Sequence, residues 1–350
     1  MRTIVGTMTG TSMDGVDAVA VSIEGFGESM TASLIGMESC ALGDLAHNLR
    51  CLSNEGGSQD QMQQAALQLG EITKNAIQRL HLEHIDVIAL HGQTIYHVPP
   101  KSIQLIDPTP ILNAFDCTVL TDPRQSDLQL GGQGAPITPL ADWILFASLE
   151  KSTAIVNLGG FCNITFLPAD CSTRQIQGFD ICCCNLLLNT IARVRLGCEF
   201  DDGGDCAIKG NAQTDIVTLL SKKLVEQKDA SRSLGSGDDL GTLALSIGIS
   251  VSTNDLLASA VAAIGACIST STHNADQVFL SGGGVHNKAL LTAISHNGTT
   301  KDLGVPIQAR EGMAMAILGA LSQDGISITL PQITGREETD SLVGWVQARP

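Results

Sequence analysis

The sequence predicts an α/β protein built from two domains, and three observations carry that prediction. Short apolar strands alternate with stretches of helical periodicity. A strand, Gly-rich turn, strand pattern opens the chain and returns near residue 151. The length, 350 residues, exceeds the usual single-domain size of about 150. Hydrophobic residues make up 43% and charged residues 16%, which excludes a disordered chain.

In chain order, Ile4 and Val5 precede a Gly/Thr/Ser-rich reversal from Gly6 to Gly15, and Val19, Val21 and Ile23 then mark alternate positions of a second strand. Over residues 61–80, Met62, Ala65, Leu69, Ile72, Ala76 and Leu80 form one helical stripe. A buried strand over 85–90 ends at His91-Gly92, and another over 118–121 ends at Asp122. Composition then turns to Pro, Gly and Gln over 122–139. The domain junction is expected there, with residues 1–122 plus 310–350 as one domain and 123–309 as the other. The opening pattern recurs as a strand over 153–157, the turn Leu158-Gly159-Gly160 and a returning strand over 163–167. A strand to Asp180 follows, with helices expected over 186–196 and 255–269. A strand over 278–280 runs into Gly282-Gly283-Gly284, then come a helix over 288–295 and a last, amphipathic helix over 311–321.

Charge and cysteine content narrow the function classes. Twenty Lys+Arg against 36 Asp+Glu leave a net charge of −16, which repels phosphate backbones and argues against nucleic-acid binding. A nucleotide held by backbone amides and a metal remains compatible. No run approaches 18 apolar residues and no basic segment precedes an apolar one at the start, so a soluble, cytoplasmic protein without a membrane partner is expected. Eleven cysteines, three of them consecutive at Cys182, Cys183 and Cys184, suit a reducing compartment. They lack Cys-x-x-Cys spacing, so buried inert thiols are expected rather than zinc ligands. His47, His81, His84 and His97 read as surface or capping residues.

Three Gly-rich or acidic constellations carry chemistry. The turn over 10–15 lets backbone N–H groups approach phosphate oxygens, with Thr11 and Ser12 as hydroxyl donors and Asp14 able to hold Mg2+ through water. An ordinary hairpin loop is the alternative. The residues Gly282, Gly283 and Gly284, between a strand and a helix, offer a flat backbone surface to an adenine or a phosphate. Asp180, at a strand end, is placed either as a general base or as a helix N-cap. His91, Gln93, Asp122 and Arg124 share the ends of expected parallel strands, the usual binding edge. Two Gly-rich hairpins followed by a late Gly-rich turn resemble the order found in the actin, Hsp70 and sugar-kinase superfamily.

Seven short motifs in register sharpen that likeness: residues 10–17 (GTSMDGVD), 91–94 (HGQT), 130–136 (LGGQGAP), 157–163 (NLGGFCN), 178–180 (GFD), 282–287 (GGGVHN) and 311–316 (EGMAMA). The chain resembles the anhydro-N-acetylmuramic acid kinase family of peptidoglycan recycling from about residue 3 to residue 345. The resemblance implies a two-domain actin-like fold of mixed sheets flanked by helices, and a kinase that uses ATP and Mg2+. It implies opening of the 1,6-anhydro ring of anhydro-N-acetylmuramate and phosphorylation of O6, with Asp180 as the base. Gly10, Thr11, Ser12, Met13, Asp14, Gly15, Val16 and Asp17 would form the ATP phosphate loop. Gly159, Gly160, Gly282, Gly283, Gly284 and Asn287 would complete the nucleotide site, and Asp14 and Asp180 would hold Mg2+. Gln93, Asp122 and Arg124 are expected at the sugar, with Arg124 as a bidentate donor to its lactyl carboxylate. A homodimer is a family expectation.

The chain also departs from the family pattern. Ile181, Cys182, Cys183 and Cys184 stand where Thr-Gly-Pro-Gly is usual, residues 232–237 replace a segment with an Arg-Glu pair, and Pro123 stands where an aromatic is usual. Three thiols are therefore expected to fill space near the sugar, with a cost of about 1–2 kcal/mol wherever a replaced glycine needed positive φ. A kinase for another anhydrosugar, such as levoglucosan, and a non-catalytic ATP- or sugar-binding sensor are the alternatives.

Overall fold

The computed structural model describes residues 1–10, 13–229 and 232–349. The chain forms two compact units: Met1–Ala147 with Ser172–Ile176 and Gln308–Pro350, and Ser148–Cys171 with Gln177–Ile307.

In the first unit, strands β1 (Arg2–Thr9), β2 (Gly15–Glu24) and β3 (Thr31–Ala41) form an antiparallel meander. Strand β4 (Val87–Leu90) lies parallel to the free side of β1. A separate hairpin follows, β5 (Gln93–Val98) with β6 (Lys101–Leu105). Strand β7 (Thr118–Thr121) continues the parallel side, and the short strand Val346–Gln347 closes that edge. Pairing of Thr7–Thr9 with residues 16–18 carries β1 to Thr9, so the reversal is shorter than the one expected from Gly6.

Helix Arg310–Gln323 packs on the sheet so closely that a Cβ at Gly6 would sit 2.1 Å from the Gly312 carbonyl. This helix was expected to be amphipathic, yet every residue from Gly312 to Leu321 is buried, as is Arg310. A helix apolar on all sides is a central one. Arg310 enters the core because its guanidinium pairs with Asp142 of helix Pro139–Phe146. That pair, with Gln133 N–H donating to the Thr334 carbonyl at 2.8 Å, holds residues 123–147 in the first unit. The unit boundary therefore falls after Ala147, whereas the composition shift marks residue 122.

The second unit repeats the plan. Strands β8 (Thr153–Leu158), β9 (Phe161–Leu167) and β10 (Gln177–Cys183) form an antiparallel meander, and β11 (Gln277–Ser281) and β12 (Gly298–Thr299) lie parallel beyond β8. Both sheets thus place a meander's first strand beside a parallel pair, β3-β2-β1-β4-β7 and β10-β9-β8-β11-β12. This duplicated α/β arrangement is the actin-like one expected from the sequence. The core beneath the second sheet is built on helix Thr253–Thr272, which presents Leu256, Leu257, Ala260, Ile264 and Ile268 to it. By length and composition that helix could cross a membrane, but its burial accounts for its apolarity.

Candidate active site

In the second unit, Asp180 sits half-buried on β10, and the pairing with β9 shifts by a bulge between Asp180 and Cys182. Bulges re-aim side chains beside active sites. The Leu234 N–H donates to Asp180 Oδ2 at 2.7 Å and anchors that carboxylate oxygen. The segment carrying Leu234 is itself clamped. Arg232 pairs with Asp238 through Nη2 at 2.5 Å and Nη1 at 2.8 Å, and the Gly235 N–H donates to Asp238 Oδ2 at 2.8 Å. Gln227 donates to the Asp238 carbonyl at 2.7 Å and accepts from the Cys183 N–H at 2.9 Å, tying this segment to β10. Partial burial is the largest single influence on the Asp238 carboxyl and pushes it up, but the Arg232 hydrogen bond, the Gly235 N–H and the Arg232 charge together outweigh it and hold Asp238 below the usual carboxylate range.

Cys182, Cys183 and Cys184 are buried in the unit's core with Cys162 and Cys267, the placement expected of inert thiols. Their backbone has no positive φ, so the expected strain is absent. Burial pushes the Cys183 thiol up to about 12, and a hydrogen bond with Cys267, followed by burial, drives Cys182 well above its ordinary value. These thiols stay protonated, and no cluster able to hold a metal occurs among the described residues.

Strand β10 ends against the other Gly-rich elements of its unit. The Cys184 and Asn185 N–H groups donate to the Gly160 and Gly159 carbonyls at 2.9 and 3.1 Å, and Asn185 Nδ2 donates to the Leu158 carbonyl at 3.0 Å. The late turn closes on the same place. Gly282 has φ 81°, and a Cβ there would lie 2.5 Å from Asn157 Oδ1. At Gly284 a Cβ would lie 2.6 Å from the Leu158 Cβ, while at Gly283 it would meet nothing within 4 Å among the described residues. Close packing thus requires glycine at two positions and leaves an open backbone face at the third. Beneath the turn, the fully buried Ser281 Oγ has no partner among the described residues. Asn287 is engaged as an N-cap, its Oδ1 accepting from the Leu290 N–H at 3.0 Å.

In the first unit, the loop joining β1 to β2 turns through a 3.1 Å bond from the Met13 N–H to the Gly10 carbonyl. Thr11 and Ser12 lie outside the described residues. Met13 holds a positive φ of 53°, uncommon for its type, and buries its side chain with Leu42, Leu45 and Leu49. That burial pins the loop from below while Asp14 stays exposed. Gly15 lets β3 pass, since a Cβ there would lie 3.1 Å from the Cys40 carbonyl. Val16 is a core residue of β2. Asp17 is bonded by the Ser39 hydroxyl, and burial raises its pKa against that bond.

The ends of β4 and β7 gather a second polar group. His91 and Gln93 are buried just past β4, and Arg124 follows β7 after Asp122, whose φ is 46°. Arg124 donates from Nη1 to the Gly134 carbonyl at 2.5 Å and from Nη2 to His91 Nε2 at 3.0 Å. Gln104, on β6, donates to the same His91 nitrogen at 2.9 Å. Asp122 Oδ1 accepts from the Gln125 N–H at 3.3 Å, capping the short helix Gln125–Gln129. Gln93 Nε2 donates to the Thr94 carbonyl at 3.0 Å, but the buried amide oxygens of Gln93 and Gln104 have no partner among the described residues. His97, expected at the surface, is buried on β5, where Nδ1 meets Ser102 Oγ at 3.1 Å because β5 turns that face inward.

A family model described as anhydro-N-acetylmuramic acid kinase matches residues 2–347. The chain belongs to that family. It is 28% identical to the anhydro-N-acetylmuramic acid kinase of Salinibacter ruber (strain DSM 13855 / M31), over 95% of this chain and 93% of the relative. It is likewise 28% identical to that of Clostridioides difficile (strain 630), over 90% of each chain. Among solved structures, the activator of the 2-hydroxyisocaproyl-CoA dehydratase from Clostridium difficile with bound ADPNP is similar at 11% identity, covering 92% of this chain and 96% of that one at a TM-score of 0.47.

Within each unit the structure gathers much of what the motifs mark. Asp180, Gly159, Gly160, Gly282, Gly283 and Gly284 converge in the second unit through the strand ends and Asn185. Gln93, Asp122 and Arg124 share the strand ends of the first. The sequence reading missed Gln104 and Leu234. Leu234 acts through its backbone, which no residue type signals, and Gln104 is one Gln among many. Asp14 and Asp180 are oxygen donors of the kind Mg2+ accepts, and the open face at Gly283 above an unpartnered hydroxyl suits a flat polar ligand.

Proposed function

We propose that this chain is an ATP- and Mg2+-dependent kinase that opens the 1,6-anhydro ring of 1,6-anhydro-N-acetylmuramate with water and phosphorylates O6. The product is N-acetylmuramate 6-phosphate, with ADP and a proton released. The family match across residues 2–347 carries this reading. Asp180, anchored at Oδ2 by the Leu234 N–H, takes the proton from a water that attacks the anomeric C1. The C1–O6 bond breaks, its electron pair stays on O6, and O6 attacks the γ-phosphorus. Backbone amides of the loop over residues 10–17 and of the Gly159-Gly160 and 282–284 turns receive the nucleotide. Asp14 and Asp180 would hold Mg2+, which neutralises charge on the transferring phosphoryl group. Gln93, Asp122 and Arg124 receive the sugar, with Arg124 opposite the lactyl carboxylate.

Mass spectrometry of the product tests the ring-opening step. The expected product carries the elements of water in addition to the phosphoryl group. A phosphorylated sugar with its anhydro ring intact would refute the hydrolytic step.

A further inference from the structure

His91 is not among the residues assigned above to substrate, yet it occupies the centre of the polar group in the first unit. Its imidazole is 4% exposed and receives two donors at one nitrogen, Arg124 Nη2 at 3.0 Å and Gln104 Nε2 at 2.9 Å. A guanidinium has no lone pair to offer and an amide NH2 has none either, so Nε2 is the acceptor and the ring proton resides on Nδ1. Burial, then the Arg124 charge, lowers the His91 pKa to about 3, which keeps the ring neutral.

The chemistry of that acceptor matters. A carboxylate at this position would neutralise the guanidinium it oriented. A neutral imidazole takes one N–H and leaves the positive charge intact, while the Gly134 carbonyl takes another N–H at 2.5 Å. Two neutral acceptors from different segments thereby define the guanidinium plane. Gln104, oriented by the same nitrogen, holds a buried amide oxygen with no partner among the described residues, as does Gln93 beside it. Buried unpartnered oxygens next to an oriented cation point to a polar anionic ligand that also donates hydrogen bonds.

We propose that His91 is a positioning residue for substrate: the single lone pair of its neutral Nε2, shared by two donors, orients the Arg124 guanidinium and the Gln104 amide for an acidic sugar. This rests on the reading of Arg124 as partner of the substrate carboxylate. The test is a double-mutant cycle in the full-length protein, with His91→Phe, Arg124→Ala and the pair, plus His91→Gln as the conservative variant. Steady-state kinetics and calorimetric binding of 1,6-anhydro-N-acetylmuramate are read beside the melting temperature. His91→Phe is expected to raise the sugar KM at least about tenfold, the scale of one hydrogen bond to a charged group. The ATP KM and kcat should stay within about twofold, and His91→Gln should recover most of the loss. In the Arg124→Ala background, His91→Phe should add nothing further. Additive effects in the pair, or parallel losses in kcat, ATP KM and melting temperature, would overturn the positioning role while the reading of Arg124 stood. An unchanged sugar KM in Arg124→Ala, or a wild-type protein that neither binds nor turns over the sugar, would overturn the reading beneath it.

Discussion

Asp180 owes its place to three neighbours: a bulge that turns β10 after it, the Leu234 N–H at 2.7 Å and the clamped 232–238 segment. Asp180→Asn preserves that shape and removes the proposed base, so sugar-dependent ADP release should fall by about 10²–10⁴-fold with the melting temperature unchanged. Gly282 is the contrasting case, a residue whose worth lies in what it lacks. With φ at 81° and Asn157 Oδ1 2.5 Å from any added Cβ, Gly282→Ala should cost at least about 1–2 kcal/mol in urea unfolding and raise the ATP KM. His91 adds a pH signature. Its folded pKa of about 3 lies below the ordinary 6.5, so the stability it contributes is complete above pH 6.5 and is lost as pH falls toward 3. Acid titration of His91→Phe should show a shallower decline over that window than the wild-type protein.

At the scale of elements, the Ile181–Cys184 replacement is absorbed by the core. Strand β10 runs on to Cys183 because Cys182 and Cys183 pair with Cys162 and Phe161 and bury their side chains. Cys182, Cys183 and Cys184 should therefore resist a water-soluble disulfide reagent in the native state and react once unfolded, whereas exposed Cys198 reacts at once. Their raised folded pKa values also predict alkaline weakening. The stabilisation is complete below the ordinary value of 9.0 and is lost as pH rises from there toward about 12, the Cys183 value. Strands with an unbroken apolar run were legible in the sequence, and β8 and β11 were placed within a residue or so at each end. Strand β3 was not, because an edge strand with Ser33, Gly36 and Ser39 exposes most of its side chains and loses alternation. The β5–β6 hairpin was likewise hidden, because His97 and Gln104 interrupt the apolar pattern where the polar group is built. The Gly-rich turns were legible because close backbone approach leaves a mark in residue type. The second donor to His91 and the amide that holds Asp180 were not, because they are set by tertiary placement.

For the whole molecule, two copies of one sheet plan carry the two sets of candidate site residues, one per unit. The first unit is secured around its central helix by the Arg310–Asp142 pair, both side chains at most 1% exposed. Arg310→Met leaves the Asp142 carboxylate buried without its cation, so thermal or urea unfolding should report a loss of about 3–5 kcal/mol. Replacing both partners with apolar residues of similar volume should recover most of that. The central claim is a chemical one: that this chain transfers phosphate from ATP to an anhydrosugar. Its most direct test is ADP release by the purified protein with Mg-ATP, with and without 1,6-anhydro-N-acetylmuramate, beside Asp180→Asn. The account predicts ADP release that depends on the sugar and vanishes in the variant. A folded protein that binds ATP yet releases no ADP on adding the sugar, or that releases it equally in Asp180→Asn, would contradict it.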